Sequence, residues 1–315
     1  MQYYFAPMEG LTDSIYRRLH HEYFPKGVDR YFTPFFSPTV HRSLTPREVR
    51  ELPPADSLKF EMVPQLLTKV PEDFLWMAQQ CLDLGYREVN LNLGCPSGTV
   101  TAKGKGSGML RDPEGLDRFL DCIFHDCPTE VSVKTRIGFS SPEEFAPLLE
   151  IYNRYPIKEL TIHPRIRAAF YNGAVQMDVF SHAVRSSKNN LCFNGNLTTT
   201  TQIHCFSETF PQVSAVMIGR GLIGDPGMLC PGGTQRDTLE AFTSALLEEY
   251  LVAFGGSRNA MFRMKEHWHF LLRKFDNNEK LAKRLRKTTD LQEFKSITRE
   301  IFATLPMHPQ MQADW

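Results

Sequence analysis

The 315-residue chain has no net charge, no paired cysteine spacing and no long apolar run. Its 36 basic and 36 acidic side chains argue against a wholly basic nucleic-acid protein, although a balanced total can conceal opposed halves. The seven cysteines are odd in number and scattered, without the CxxC spacing of a zinc or disulfide framework. Reduced thiols and no metal site are therefore expected, as in a cytosol. No stretch reaches the roughly 18 apolar residues of a membrane span. Met1-Gln2-Tyr3-Tyr4-Phe5-Ala6-Pro7 lacks the basic start and apolar core of a signal peptide. The expectation is a soluble cytoplasmic protein without a membrane partner. Repeats and low-complexity tracts are absent as well.

What the chain does have is an alternation of short apolar runs with stretches of helical period, the pattern of a parallel sheet with outer helices. The runs are Tyr3-Met8, Arg30-Pro34, Lys59-Gln65, Glu88-Leu93, Glu130-Thr135, Glu159-His163, Asn190-Asn194 and Ala215-Ile218. Eight strands predict a closed barrel. Between them, Pro71-Leu84, Pro113-His125 and Pro142-Arg154 read as helices opened by proline near the first helical position, and Thr200-Glu208 as another. The stretch Phe36-Leu58 is Pro-rich and predicts an irregular crossover. After Gly219-Arg220-Gly221, breakers cluster at Pro226, Gly227, Pro231, Gly232 and Gly233, and helical patterns follow at Thr234-Ala253, Ala260-Phe275, Glu279-Arg286 and Leu291-Thr304. The fold class is thus α/β, a (β/α)8 TIM barrel over residues 1–233 followed by a small all-α unit over 234–315.

Chemistry in such a barrel gathers at the C-terminal strand ends. Asn92-Leu93-Gly94-Cys95-Pro96-Ser97 sets a thiol just past the alternating run Arg87-Asn92. Pro7-Met8-Glu9-Gly10 ends the first strand, Gln65 the third, Lys134 and Arg136 the fifth, and His163 and Arg165 the sixth. Asn194-Gly195-Asn196 ends the seventh and Gly219-Arg220-Gly221 the eighth. Glycines after strands seven and eight let backbone N–H groups close on a phosphate, and a flat heterocycle would then lie over the mouth. The set is of flavin type. The spacing Gly104-x-Gly106-x-Gly108 follows no strand directly and has no acidic partner about 20 residues on, which excludes a nicotinamide Rossmann reading.

Five segments together resemble the tRNA-dihydrouridine synthase family, in its order and spacing: Ala6-Pro7-Met8-Glu9-Gly10-Leu11-Thr12-Asp13, Asn92-Leu93-Gly94-Cys95-Pro96, Ser132-Val133-Lys134-Thr135-Arg136, Asn194-Gly195-Asn196 and Val216-Met217-Ile218-Gly219-Arg220-Gly221. The resemblance implies an FMN-dependent reductase that saturates the C5–C6 bond of a uridine in tRNA, with NADPH or NADH as a transient reductant. It implies Cys95 as the proton donor to C5; a free thiol titrates near ~8.5, so it is mostly protonated at neutral pH. Pro7, Met8 and Glu9 would border the isoalloxazine, Gln65 would bond its polar edge, and Lys134 would stand beside N1 and O2. His163 would assist there or at the phosphate, which Asn194, Gly195, Asn196, Gly219 and Arg220 would hold. Asn92, Arg136 and Tyr171 correspond to uracil-recognising positions, and Lys103 and Lys105 to an approach to the RNA backbone.

The chain departs from the family pattern at His163-Pro164-Arg165, where glycine is usual, at Phe193-Asn194-Gly195-Asn196, and at Met62-Val63-Pro64-Gln65, where a proline precedes the glutamine. From Arg258 to Glu300 twelve basic residues face six acidic ones. A solvated helical face would account for them, but beside a uridine-type reductase they read as a tRNA-binding surface, with Arg263, Lys265, Arg273 and Lys274 as the preferred phosphate contacts. His20-His21 and His267-x-His269 read as surface or packing residues, and Phe74, Trp76 and Met77 as helix core. A monomer is expected. Two alternatives stand beside this reading: a free-pyrimidine oxidoreductase of dihydroorotate or dihydrouracil type, and a tRNA-binding protein with vestigial flavin chemistry.

Overall fold

The computed structural model describes residues 1–39 and 41–312. In chain order the barrel elements are β1 (Gln2–Phe5), α1 (Ser14–Tyr23), β2 (Arg30–Phe32), α2 (Pro46–Glu51), β3 (Glu61–Val63), β4 (Gln65–Leu66), α3 (Pro71–Asp83), β5 (Glu88–Leu93), α4 (Gly98–Thr101), α5 (Pro113–Asp126), β6 (Glu130–Arg136), α6 (Phe145–Tyr152), β7 (Leu160–His163), α7 (Met177–Ser186), β8 (Leu191–Phe193), α8 (Thr200–Thr209), β9 (Ala215–Ile218) and α9 (Arg220–Gly224). Then come α10 (Arg236–Ala253), α11 (Ser257–Leu271), α12 (Glu279–Lys287) and α13 (Leu291–Thr304).

All strand pairs are parallel, in the order β3-β2-β1-β9-β8-β7-β6-β5-β4. The two ends of that order are halves of one strand, broken at Pro64, so the sheet closes into a barrel. Proline has no N–H to give the ladder. Its carbonyl still accepts from the Asn90 N–H at 2.8 Å, and the next N–H, on Gln65, turns to the Thr33 hydroxyl at 2.9 Å. The departure at Pro64 thus divides the third strand without opening the barrel.

Alternation decides which side chains face inward. Val89, Leu91 and Leu93 of β5, with Val131 and Val133 of β6, join the large core beneath the helices. Tyr4, Ala6, Phe32, Val63, Cys192, Ala215 and Met217 form a separate apolar plug. The polar set Gln65, Asn90, Asn92 and Ser132 is buried as well. Prolines open α3 and α5 as expected. The span 142–154 is instead a 3-10 turn at Pro142–Glu144 leading into α6. The crossover 36–58 is not wholly irregular, because α2 forms there on a capping box between Thr45 and Glu48.

Helix α10 packs on α1, and α11 packs on both α9 and α10. Among the described residues no helix is long and apolar enough to cross a membrane. Phe74 and Met77 are buried, with Trp76 packed at their margin.

Candidate functional site

At the C-terminal strand ends lies a cavity of about 470 Å³. Pro7, Met8 and Glu9 line it from the loop after β1, Gln65 from β4, Asn92 and Cys95 from β5 and its loop, and Lys134 and Arg136 from β6. His163 and Tyr171 enter from β7 and its loop, Asn194, Gly195 and Asn196 from the loop after β8, and Gly219 and Arg220 after β9. Thus every residue that the sequence assigns to the flavin borders a single space, together with Cys95 and the three uracil positions. Pro34, Phe35 and Phe270 line it too and carry no sequence signal; His269, which the sequence gives as a surface or packing residue, also lines it. Arg165 is legible in the sequence only as a strand-end charge. It is buried and reaches His163 Nε2 at 3.1 Å, Asn196 Oδ1 at 3.2 Å and the Gly173 carbonyl at 2.6 Å.

The cavity is rich in cations. Burial, with Arg136 alongside, pushes Lys134 down to about 8. Among the described residues no carboxylate stands at ion-pair distance from it, and Glu9 pairs with Arg47 instead. Burial also pushes Arg136 and Arg220 down to about 10. His163 is held well below its ordinary range, first by burial and then by Arg136, Lys134, Arg165 and Arg220. Because Arg165 can only donate, His163 Nε2 accepts, so the ring is neutral with its proton on Nδ1. Clustered positive charge around a space of this size fits an anionic phosphate at one end and a ring that gains negative charge on reduction. Gly219 permits the close approach: a Cβ there would lie 3.0 Å from Met8 Sδ.

Cys95 is partly buried, and burial raises its thiol, opposed by the Ser97 N–H and by Arg136. Its loop is fixed by Asn92, whose Oδ1 accepts from Gly94 N at 3.0 Å and Cys95 N at 2.9 Å, while its Nδ2 donates to Gln65 at 2.7 Å. Only one N–H of that amide is left for a substrate. Arg136 likewise holds the protein, donating from Nε to the Gly94 carbonyl at 2.9 Å and from NH1 to the Ile166 carbonyl at 3.0 Å. Tyr171 is 48% exposed, with the guanidinium carbons of Arg136 and Arg220 each 5.5 Å from its ring centre. Gly106, at φ +57°, sits where a Cβ would come within 3.1 Å of Cys95 Cβ, so a side chain there would press on the thiol's own residue.

Lys103 is exposed and Lys105 half-buried on the loop after α4, outside the cavity lining. Of the four expected phosphate contacts, the structure contradicts Lys274. Lys274 is fully buried against Asp225 at 3.0 Å and cannot reach a phosphate. Lys265 donates to the carbonyls of Arg286 and Thr288, capping α12. Arg263 pairs with Glu266 at 3.1 Å and lies over Gly10, where a Cβ would meet its NH1 at 2.7 Å. Arg273 remains partly exposed, in a cleft of about 360 Å³ that Lys265, His269 and Arg286 also line. Of the histidines, His20 and His267 are buried in packing, while His269 reaches the cavity. Among the described residues no three His, Cys, Asp or Glu side chains are grouped as metal ligands.

The family model for dihydrouridine synthase (Dus) matches residues 4–305. The chain belongs to the dihydrouridine synthase family. It is therefore an FMN-dependent TIM-barrel oxidoreductase acting on pyrimidine-type substrates. It is 26% identical over 315 residues to a probable tRNA-dihydrouridine synthase 1 of Synechocystis sp., covering 95% of this chain and 86% of the relative. It is 28% identical over 229 residues to tRNA-dihydrouridine synthase B of Proteus vulgaris, covering 70% and 67%. A morphinone reductase variant in complex with tetrahydroNAD overlays with a TM-score of 0.49 at 11% identity, covering 72% of this chain and 85% of that one.

Proposed function

We propose that this dihydrouridine synthase reduces the C5–C6 double bond of uridines in tRNA, with Cys95 as the acid. The observation that carries the reading is the placement of Cys95, whose backbone N–H is pinned by Asn92 and whose thiol is raised by burial, at the rim of a cation-rich cavity in a chain of this family. The chemistry that bound FMN supplies there is hydride transfer to C6. The Cys95 thiol gives its proton to C5, so hydride and proton together saturate the bond. With FMN bound, Lys134 would supply positive charge to the part of the ring that gains negative charge on reduction, and Gln65 would bond its polar edge. Arg220, Asn194, Gly195, Asn196 and Gly219 would hold the FMN phosphate, while neutral His163 would offer Nδ1–H as a donor on that side. Tyr171 covers the face of the base, and Arg136 and the remaining Asn92 N–H meet its edge. NADPH acts as a transient reductant.

Residues 1–233 form the catalytic unit and 234–315 the tRNA-binding unit in this reading. A base stacked in folded tRNA cannot enter the cavity, so the nucleotide turns outward while basic side chains hold the flanking phosphates. Incubation of the purified protein with NADPH and unmodified tRNA tests the proposal. Dihydrouridine by nucleoside mass analysis supports it, and reduction of free uracil with no change in tRNA contradicts it.

A further inference from the structure

Four buried polar side chains run in single file from the inside of the barrel to the catalytic loop. Asn92 Nδ2 donates to Gln65 Oε1 at 2.7 Å, Gln65 Nε2 to Asn90 Oδ1 at 2.8 Å, and Asn90 Nδ2 to Ser132 Oγ at 2.9 Å. All four are buried: Gln65 is 1% exposed, Asn90 0%, Asn92 7% and Ser132 1%. Strand register brings them together, since Gln65 pairs with Asn90 and Asn90 with Ser132 across β4, β5 and β6.

The polarity of this file is decided at one end. The N–H groups of Gly94 and Cys95 can only donate, so the Asn92 atom facing them must be the oxygen. Its nitrogen then faces Gln65, which must answer with oxygen and turn its own nitrogen to Asn90, and so on inward. At the far end a serine hydroxyl accepts or donates equally well, so it closes the file without contesting its direction. The amide orientation of Gln65, the cavity residue placed at the flavin edge, and the backbone position of Cys95 are therefore one coupled arrangement.

We infer that Asn90 and Ser132, which do not line the cavity, are positioning residues for the reaction: through Gln65 and Asn92 they fix the Gln65 amide and the Cys95 loop. The inference rests on the function proposed above for Cys95. Without an acceptor at position 90, the Gln65 amide is free to turn, Asn92 loses its fixed partner, and the Gly94-Cys95 N–H groups lose a held acceptor. An aspartate at position 90 keeps the acceptor for Gln65 and takes the Ser132 hydroxyl as donor, so it preserves the direction of the file.

The test compares wild-type flavoprotein with Asn90→Leu and Asn90→Asp, each checked for cooperative melting and flavin content. Three rates are read: flavin reduction by NADPH, dihydrouridine formation in tRNA, and alkylation of Cys95 by iodoacetamide, followed by peptide mass. Asn90→Leu is expected to retain flavin, to alkylate Cys95 several-fold faster, and to lose dihydrouridine formation in kcat, on the order of 10²-fold for a misplaced acid, by more than any change in flavin reduction. Asn90→Asp is expected to recover most of both. Should Asn90→Leu fail to fold, Ser132→Ala against Ser132→Thr reads the same relay from its far end. Unchanged Cys95 alkylation and unchanged kcat in a folded variant would overturn the inference. A wild-type protein that makes no dihydrouridine would instead sink the proposed function, while the alkylation rates would still decide the relay.

Discussion

Lys274 and Asp225 form an ion pair from which water is excluded, with Nζ 3.0 Å from Oδ2 and side chains 0% and 1% exposed. Asp225 follows α9 at the end of the barrel, and Lys274 follows α11. The lysine also donates to the Pro309 carbonyl at 2.9 Å, and the aspartate accepts from the Thr234 hydroxyl. The pair therefore ties the last barrel loop to the helical extension. Removing one partner leaves a buried charge alone, so Lys274→Ala should lose about 3–5 kcal/mol in chemical denaturation. The salt dependence of tRNA binding by the folded fraction should not change, since Lys274 meets no solvent.

The proposed place of Lys134 at the flavin would make cofactor binding sensitive to pH. A lysine depressed to about 8 is charged below that value and neutral above it. Flavin affinity should therefore weaken as pH rises through about 8 in wild type and not in Lys134→Met, as measured by fluorescence titration of the flavin-free protein. The linked stability runs in the opposite sense: between about 8 and the ordinary 10.5 the unfolded chain binds more protons, so the flavin-free fold gains stability with rising pH.

Glu159 supplies a second pH effect at the other end of the barrel. Its carboxylate is buried, lies 3.1 Å from the Tyr4 hydroxyl and is pushed up to about 7, first by burial and then by Glu88. The folded state then holds a proton that the unfolded chain releases above 4.5, so this contribution is present at low pH and lost as pH rises through about 7. Glu159→Gln should melt higher than wild type at pH 8, with the difference closing toward pH 5.

The exposed cations of the extension should carry affinity without chemistry. Arg258, Lys283, Arg286 and Lys287 are exposed, unlike Lys274. Gln at Arg258, Arg286 and Lys287 should weaken tRNA binding and flatten its salt slope by ~0.7–0.9 for each phosphate that is no longer neutralised. Flavin reduction by NADPH should stay at the wild-type rate.

The sequence carries the barrel because β-alternation and the proline-opened helices are local signals. Glu88–Leu93, Ala215–Ile218 and Leu291–Thr304 fall where the patterns put them. Helix α1 has no such signal, because two of its inward positions are the polar Arg17 and His20, which interrupt an apolar face. Arg17 is buried on Glu51, and His20 lies between Tyr31 and the Pro226 carbonyl. Helix α2 is hidden by the surrounding prolines, although Thr45 and Glu48 spell a capping box.

The cavity lining is legible because strand ends are counted along the chain. What its side chains hold is not. Asn92 and Arg136 look like groups reserved for a base, yet the Asn92 Oδ1 and the Arg136 Nε both hold the Cys95 loop. Lys274 looks like a phosphate ligand because its partner lies 49 residues away and no local pattern announces it. Long-range pairing and burial, rather than residue type, separate such structural charges from solvated ones.

In the proposed reaction, with flavin saturating, the pH range of the chemical step follows from Cys95. Its thiol is raised by burial, so the protonated form persists through neutrality and the rate should fall only above the ordinary thiol range near ~8.5. The most direct test of the central claim is a single-turnover measurement: flavoprotein reduced under anaerobic conditions is mixed with unmodified tRNA, and dihydrouridine is followed by mass for wild type and Cys95→Ala. The account predicts that both proteins bind flavin and tRNA, that wild type adds two hydrogens to a uridine, and that Cys95→Ala is slower by ~10²–10⁴-fold. Equal rates in the two proteins, or a tRNA that gains no hydrogen from the reduced wild type, would contradict it.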